Sequence, residues 1–473
     1  QVVDRNYQDL LEEHVHHWKQ RWQSCDIQVT GDADAQQALR INMFHLLRSH
    51  PGDDRTAIDA KGYAGDAYCG RFFWDTEIYL LPFFLYTEPQ RAQQLMDFRI
   101  HSLPGARANA RASMCDGARY AWESDHQGEE HCPPLVWQYR DHELHVTADV
   151  AYGWQHVLAA TGDEDYRRHY AAALLEGARF WLSRIDVVDG TPHLTAVMGP
   201  DEYCPVVTDN AFTNRLVRAH LAAAADLGAQ HGASKEESER FRDMAERLPL
   251  HRLPDGVLAQ HLGWEHLAEP DFERTWRDRG KLYGAQVPQE WLHRCKVSKQ
   301  ADVLLLHWLF PNEVDDEELR RAWQRYEPVC CHDSSLSPGV HALIALRLGM
   351  HEQAWEFWKR TAFLDLQPGK AAQGIHVACA GATWQLAVFG FAGIRPATSD
   401  GCLQIEPRLP IGWQRLQFPL HWRGQALHIG IDPEQVQIQN NGNATVIIRC
   451  AGDEVQLESG SSHTWTQRKE QTA

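Results

Sequence analysis

The stretch Ala380-Gly381-Ala382-Thr383-Trp384-Gln385-Leu386-Ala387-Val388-Phe389, followed beyond Arg395 by Leu403-Gln404-Ile405, decides the architecture. The first part is apolar at helical spacing. The second alternates, as a strand with one buried face does. Working outward toward the N-terminus, the helical pattern continues back to Asp9. Leu10, Leu11, His14, Val15 and Trp18 recur at helical spacing, as do Ala35, Ala38, Leu39, Ile41, Asn42, Phe44, His45 and Leu46. Further helices are expected over 76–85, 89–102, 105–114, 146–161, 163–183, 208–227, 235–248, 299–309, 315–325, 338–348, 350–363 and 380–389. Gly-Asp and Pro punctuation separates them, as at Thr161-Gly162-Asp163 and Gln367-Pro368-Gly369. So many helices with little strand between them suit a ring of paired helices or an α-solenoid. No repeat consensus recurs, which counts against the solenoid. Outward toward the C-terminus, alternation returns at 416–420, 426–431, 436–439 and 455–457. A β-branched run, Thr445-Val446-Ile447-Ile448, and a turn signal, Asn440-Asn441-Gly442-Asn443, lie among them. These predict a small antiparallel β domain over 396–466 and a polar, frayed tail.

Composition narrows the function classes. Of 473 residues, 46 are Lys or Arg and 64 are Asp or Glu, for a net charge of −18. That balance argues against a nucleic-acid or anionic-membrane partner, since both need a basic surface. The longest apolar run, 78–86, is too short to span a bilayer. No signal peptide opens the chain, and it starts Gln1-Val2-Val3 rather than with Met. It therefore reads as a processed product or a piece of something longer. The 11 Cys include no CxxC pair and no zinc-finger spacing. Reduced thiols in a cytoplasmic protein are expected, with the sequon at Asn443 a chance match. Trp is abundant, at 18 residues. Such rings either stack on sugar faces or fill a helical core.

Six irregular segments interrupt the helices, and loops held by a rigid scaffold are where function concentrates. Gly62 to Asp66 leads to Phe73-Trp74-Asp75-Thr76-Glu77, where Trp74 can stack on a sugar and Asp75 accept its hydroxyls, or Asp75 can cap a helix. Tyr120-Ala121-Trp122-Glu123 runs on to Glu129-Glu130, either lining a polar cleft or forming a solvated acidic loop. Met198-Gly199-Pro200-Asp201-Glu202-Tyr203 sets a carboxylate beside a ring, which can raise its pKa as a general acid requires, or is a plain surface turn. Lys299-Gln300-Ala301-Asp302 offers an ammonium and an amide at a helix start. His332-Asp333-Ser334-Ser335-Leu336-Ser337-Pro338-Gly339 is an anion cradle before a helix, or ordinary Ser capping. Gly374-Ile375-His376 could reach the same anion, or His376 could be structural.

In this order the segments resemble glycoside hydrolase family 65, which holds inverting disaccharide phosphorylases and a few hydrolases. Phe389-Gly390-Phe391-Ala392-Gly393 adds a further signature. The resemblance covers nearly the whole chain. It implies a mainly α fold: an (α/α)6 barrel over 31–395, entered by a helical linker over 1–30 and followed by the β domain. The N-terminal β-sandwich that family members carry is expected to be absent from this chain. By resemblance, Glu202 is the catalytic acid. Trp74, Asp75, Lys299 and Gln300 hold the glucosyl unit, Trp122 and Glu123 contact sugar, and Ser334, Ser335 and His376 bind phosphate. The implied activity, in carbohydrate metabolism, is a glycosyltransferase-type phosphorolysis of an α-glucosyl disaccharide to β-glucose 1-phosphate. Disaccharide and phosphate are the partners, with a homodimer as the assembly to test. Inorganic phosphate is a co-substrate; no metal or organic cofactor is expected. Two rivals stay open: an inverting α-glucoside hydrolase, which needs a carboxylate base where the anion cradle stands, and a non-catalytic sugar-binding remnant. The acceptor would be set by loops, the stretch His131 to His142 among them.

Overall fold

The computed structural model describes residues 5–62, 67–395 and 401–467. Parts of the sequence reading lie outside the described residues: 63–66 in the first irregular segment, 396–400 at the head of the β domain, and the termini 1–4 and 468–473.

The chain opens with α1 (Tyr7–Cys25), β1 (Gln28–Thr30) and α2 (Ala33–Ser49). A wide π turn at Thr76–Leu80 then leads into α3 (Leu81–Thr87). Next come α4 (Pro89–His101), α5 (Leu103–Ala112), α6 (Trp137–His142), α7 (Val146–Thr161) and α8 (Glu164–Arg184). A short hairpin of β2 (Asp186–Val188) and β3 (Thr191–His193) precedes α9 (Ala211–His231) and α10 (Lys235–Arg247). Two short helices, α11 (Phe272–Thr275) and α12 (Gln289–His293), lie before α13 (Val303–Leu309). The helical part ends with α14 (Asp316–Tyr326), α15 (Ser337–Arg347), α16 (His351–Ala362) and α17 (Val377–Gln385).

Helix starts follow the sequence chemistry. Asp32, Asp163, Asn210, Ser234 and Asp315 each accept a backbone N–H from the first turn of the helix they precede. Left-handed Gly162 and Gly232 end α7 and α9. The helices sort into two rings by burial. Every residue of α3 and α17 is buried, and nearly every residue of α15. Helices apolar on all sides must lie inside. The inner ring runs α3, α7, α9, α13, α15, α17, each touching the next, and α17 touches α3 to close it. Outside, α4, α8, α10, α14 and α16 each back onto the inner helix before them, while α2 from the start of the chain backs onto α17. Six such hairpins make an (α/α)6 barrel.

The C-terminal strands are β4 (Leu403–Ile405), β5 (Arg415–Trp422), β6 (Gln425–Ile431), β7 (Gln435–Asn440), β8 (Val446–Cys450), β9 (Asp453–Leu457) and β10 (Ser462–Thr466). They form a five-stranded sheet, β1-β5-β6-β7-β10, and a three-stranded one, β4-β8-β9. All pairs are antiparallel except β4 with β8. The stretch over 1–30 is not helical throughout: after α1 comes β1, whose Val29 pairs with Leu416 of β5. Arg21 fixes α1 to the barrel, with Nε 2.9 Å and Nη2 2.7 Å from the Glu88 carboxylate.

Candidate active site

In a closed double ring, every passage from an outer helix back to an inner one falls at the N-terminal ends of the inner helices. There are six such passages, and each delivers a residue to one cleft of about 550 Å³. Trp74 and Asp75 come from the passage before α3, Trp122 and Glu123 from that before α7, and Glu202 from that before α9. Lys299 and Gln300 precede α13, Ser334 and Ser335 precede α15, and His376 precedes α17. All ten residues singled out from the sequence line this cleft.

Glu202 accepts a 2.6 Å hydrogen bond from Lys299 Nζ at Oε2. Burial pulls the Lys299 ammonium down, but the charge and hydrogen bond of Glu202 more than offset it, and its pKa is raised. Asp201 staples the two segments together. It accepts from Lys299 N at 2.8 Å, Gln260 Nε2 at 2.9 Å and Tyr203 N at 3.2 Å. Burial pushes its carboxyl up to about 6. Gln300 donates to the Pro200 carbonyl. Gly199 has no room for a side chain, since a Cβ would sit 2.3 Å from Asp302 Oδ2. Tyr203 carries the motif onward: its hydroxyl donates to Asp333 Oδ2 at 2.6 Å, tying the Glu202 segment to the loop of Ser334 and Ser335.

Asp75 is 9% exposed, and its side chain caps no helix. Burial pushes it up to about 7, with the charges of Glu77 and Glu202 adding. Glu123 is likewise pushed up to about 7, by burial and then by Glu130. Glu130 itself braces the loop, accepting from Trp122 N at 2.8 Å and Glu123 N at 3.1 Å. The two tryptophans differ. Trp74 is 1% exposed and packed edge-on against Tyr79, His145 and Phe212, so it is largely a core ring that touches the cleft. Trp122 stacks on Tyr139 at 6.1 Å and 20°, a broader aromatic wall.

At the other wall, Ser334 Oγ accepts from Leu336 N at 3.2 Å, so part of its role is local capping. His376 is engaged at both ring nitrogens. Nδ1 donates to Asp365 Oδ1 at 2.6 Å, and Nε2 accepts from Lys61 Nζ at 2.5 Å. Lys61 thus brings an ammonium to this wall, held beside the His376 ring. Burial lowers the Lys61 pKa, partly countered by Asp365. Sequence reasoning missed Lys61, Arg71, Tyr68 and Tyr139, all lining the cleft, and Asp365 behind it. A single Lys between Ala60 and Gly62 carries no signal; Tyr139 lay within the acceptor stretch already singled out.

The glycosyl hydrolase family 65 central catalytic domain matches residues 40–385, and the glycosyl hydrolase family 65 C-terminal domain matches 397–457. The chain is 34% identical to a kojibiose phosphorylase of Caldanaerobacter subterraneus subsp. tengcongensis, covering 96% of this chain and 63% of that protein. It is 33% identical to an alpha,alpha-trehalose phosphorylase of Geobacillus stearothermophilus, covering 95% and 61%. A solved structure from the human microbiome, named for kojibiose phosphorylase, superposes with a TM-score of 0.91 at 25% identity, covering 98% of this chain and 66% of that one. The chain thus spans about three-fifths of the length of the curated relatives it matches.

Proposed function

The chain belongs to glycosyl hydrolase family 65, and from that premise we propose that it cleaves an α-glucosyl disaccharide or α-glucoside by inverting phosphorolysis, yielding β-glucose 1-phosphate and the free acceptor. The observation that carries this reading is the composition of the wall formed by the loops before α3, α15 and α17: two Ser hydroxyls and the Lys61 ammonium stand there beside the His376 ring. An anionic nucleophile is held by cations and hydrogen-bond donors, and it needs no general base. The N-terminal ends of the inner helices also face the cleft, which favours an anion further.

In this proposal Glu202 protonates the glycosidic oxygen as the acceptor leaves. In the free site Glu202 is paired with Lys299. A glucosyl hydroxyl that takes over the Lys299 ammonium frees Glu202 to face the glycosidic oxygen, and the proton it hands over is drawn from solvent before the sugar fills the cleft. Asp75 and Gln300 position the ring, while Trp122 and Tyr139 flank it. Phosphate, held by Ser334, Ser335 and Lys61, attacks the anomeric carbon from the opposite face. No helix among the described residues is long and apolar enough to cross a membrane.

The test is release of glucose 1-phosphate from a panel of α-linked glucosyl disaccharides and polyol glucosides, with and without phosphate, and with the product anomer read by NMR. Glu202→Gln is the control, expected to lose at least about 10²–10⁴-fold in kcat while keeping its fold. Glucose released at an equal rate without phosphate would sink the proposal. The hydrolase would then recruit its base from Asp75 or Glu123, the other carboxylates lining the cleft among the described residues.

A further inference from the structure

Behind the loop of Ser334 and Ser335, three metal-binding side chains converge on one hydroxyl. Cys330 Sγ lies 3.6 Å from His332 Nδ1 and 3.4 Å from Ser337 Oγ. His332 Nδ1 is 2.9 Å from that same hydroxyl, and His341 Nδ1 is 3.4 Å from it. One donor atom from each of Cys330, His332 and His341 lies within 4.8 Å of the other two. The local fold explains the convergence. Cys330 is fixed by a parallel bridge to Ser298. His332 takes a left-handed backbone, φ 53°, which few non-glycine residues adopt without a reason. Ser337 and His341 sit one turn apart on α15 and share a face.

A second observation points the same way. His341 Nδ1 lies 2.9 Å from the Ser337 carbonyl oxygen, so that nitrogen donates and Nε2 keeps its lone pair. Nε2 is buried and has no hydrogen-bond partner. His341 thus has one nitrogen committed to the backbone and one without a partner, so it can ligate at Nε2 or, by moving its proton to Nε2, at the Nδ1 that faces the Ser337 hydroxyl.

We infer that Cys330, His332 and His341 form a site for a divalent cation of the zinc class, a use of these residues that the sequence spacing gave no hint of. One thiolate and two imidazoles suit Zn²⁺ or Co²⁺ and do not suit Mg²⁺ or Ca²⁺, which take oxygen ligands. On binding, the Cys330 thiol gives its proton to solvent and the sulfur becomes a ligand. The cation enters the space between the donors. The Ser337 hydroxyl then either gives up its imidazole contacts or joins as the fourth ligand. Since Ser337 opens α15 two residues after Ser335, an occupied site stiffens the start of that helix and the loop before it. Cation binding does not depend on the phosphorolysis reading.

The experiment titrates chelator-stripped full chain with Co²⁺ and then Zn²⁺. One equivalent of Co²⁺ is expected to give tetrahedral ligand-field bands and a near-ultraviolet thiolate-to-cobalt band, both discharged by Zn²⁺ and untouched by Mg²⁺. Cys330→Ser should abolish the thiolate band and weaken Zn²⁺ at least tenfold in competition with a chromophoric chelator. His341→Asn should weaken Zn²⁺ comparably, and Cys115→Ser should change neither. Circular dichroism checks each fold. A saturated Co²⁺ spectrum without the thiolate band, or an unchanged band and affinity in Cys330→Ser, overturns the site and leaves Ser337 as the hub of an ordinary hydrogen-bond cluster. If Cys330→Ser does not fold, Zn²⁺ protection of Cys330 against alkylation in the wild-type chain replaces it. Protection supports the site, and alkylation at the unprotected rate overturns it.

Discussion

Asp75 is a carboxyl group kept from water beside two further carboxylates, and its proton is shared with the folding equilibrium. An ordinary aspartate loses that proton near pH 3.9 when unfolded; folded, Asp75 holds it up to about 7. Between those values the native state binds a proton that the unfolded chain has released, so this group's contribution to stability falls as pH rises through the window and is flat above it. Asp75→Asn removes the titration. The melting temperature of the unliganded variant should gain on wild type as pH climbs from about 4 to about 7, then keep a constant lead, while glucoside turnover collapses. A lead independent of pH would mean that Asp75 titrates normally. Lys61 supports a second prediction. It carries the charge at the proposed phosphate wall and is oriented by His376 and Asp365. A charge-assisted hydrogen bond contributes about 1.5–3 kcal/mol, and about 1.4 kcal/mol is a factor of ten. Lys61→Ala should therefore raise the phosphate KM by about tenfold or more with little change in the disaccharide KM, and Lys61→Arg should recover part of the loss. Steady-state kinetics with each substrate varied in turn decides it; equal rises in both constants would reassign Lys61 to general support of the cleft.

At the scale of the element, the π turn at Thr76–Leu80 sets where Trp74 and Asp75 stand. A π turn leaves carbonyls without their usual partners. Gln385 of α17 supplies one, its Nε2 donating to the Ile78 and Tyr79 carbonyls at 2.9 and 3.1 Å. From the other side Arg99 grips Glu77 at 2.6 and 3.0 Å and donates to the Phe73 carbonyl at 3.1 Å. Gly381 lets α17 come this close, since a Cβ there would meet the Tyr79 oxygen at 2.1 Å. Gly381→Ala should then cost about 1–3 kcal/mol through overpacking, read as a lower urea midpoint. It should also weaken glucoside binding more than phosphate binding. Unchanged stability would show that α17 can back away. Most of the helices were legible in the sequence because their caps and apolar faces are local: α7 begins and ends where its periodicity does. The π turn was not, because 76–85 reads as one ordinary helix and the partners that hold the irregularity are Arg99, on the helix that follows, and Gln385, far away in the chain. Nor was β1, three residues long and held by pairing with β5 across nearly the whole sequence. The residues lining the cleft were legible where they sit in dense motifs, as Trp74-Asp75 and Glu202 do. Lys61 and Asp365 gain their meaning only when two passages meet in space.

Over the whole molecule, the barrel and the C-terminal sheets share one continuous apolar core. The join is specific. Trp422 on β5 is 1% exposed, stacks on Tyr86 of α3 at 6.2 Å and 11°, and donates from Nε1 to the Gly401 carbonyl at 3.2 Å. The segment between α1 and α2 adds β1 to the same sheet, so residues 28–30 pair with 415–417 across most of the sequence. A sheet fused in this way to an inner helix of the barrel cannot unfold without exposing barrel core, and the two should melt together. Calorimetry should accordingly show a single transition. Trp422→Ala removes a large buried ring at the seam, at a cost of about 3–5 kcal/mol, and should move that one transition down as a unit. Activity would fall only as the folded fraction falls, since Trp422 lies outside the cleft lining. Two separated transitions, with only the first displaced by Trp422→Ala, would show instead that the sheets are an independent unit resting on the barrel.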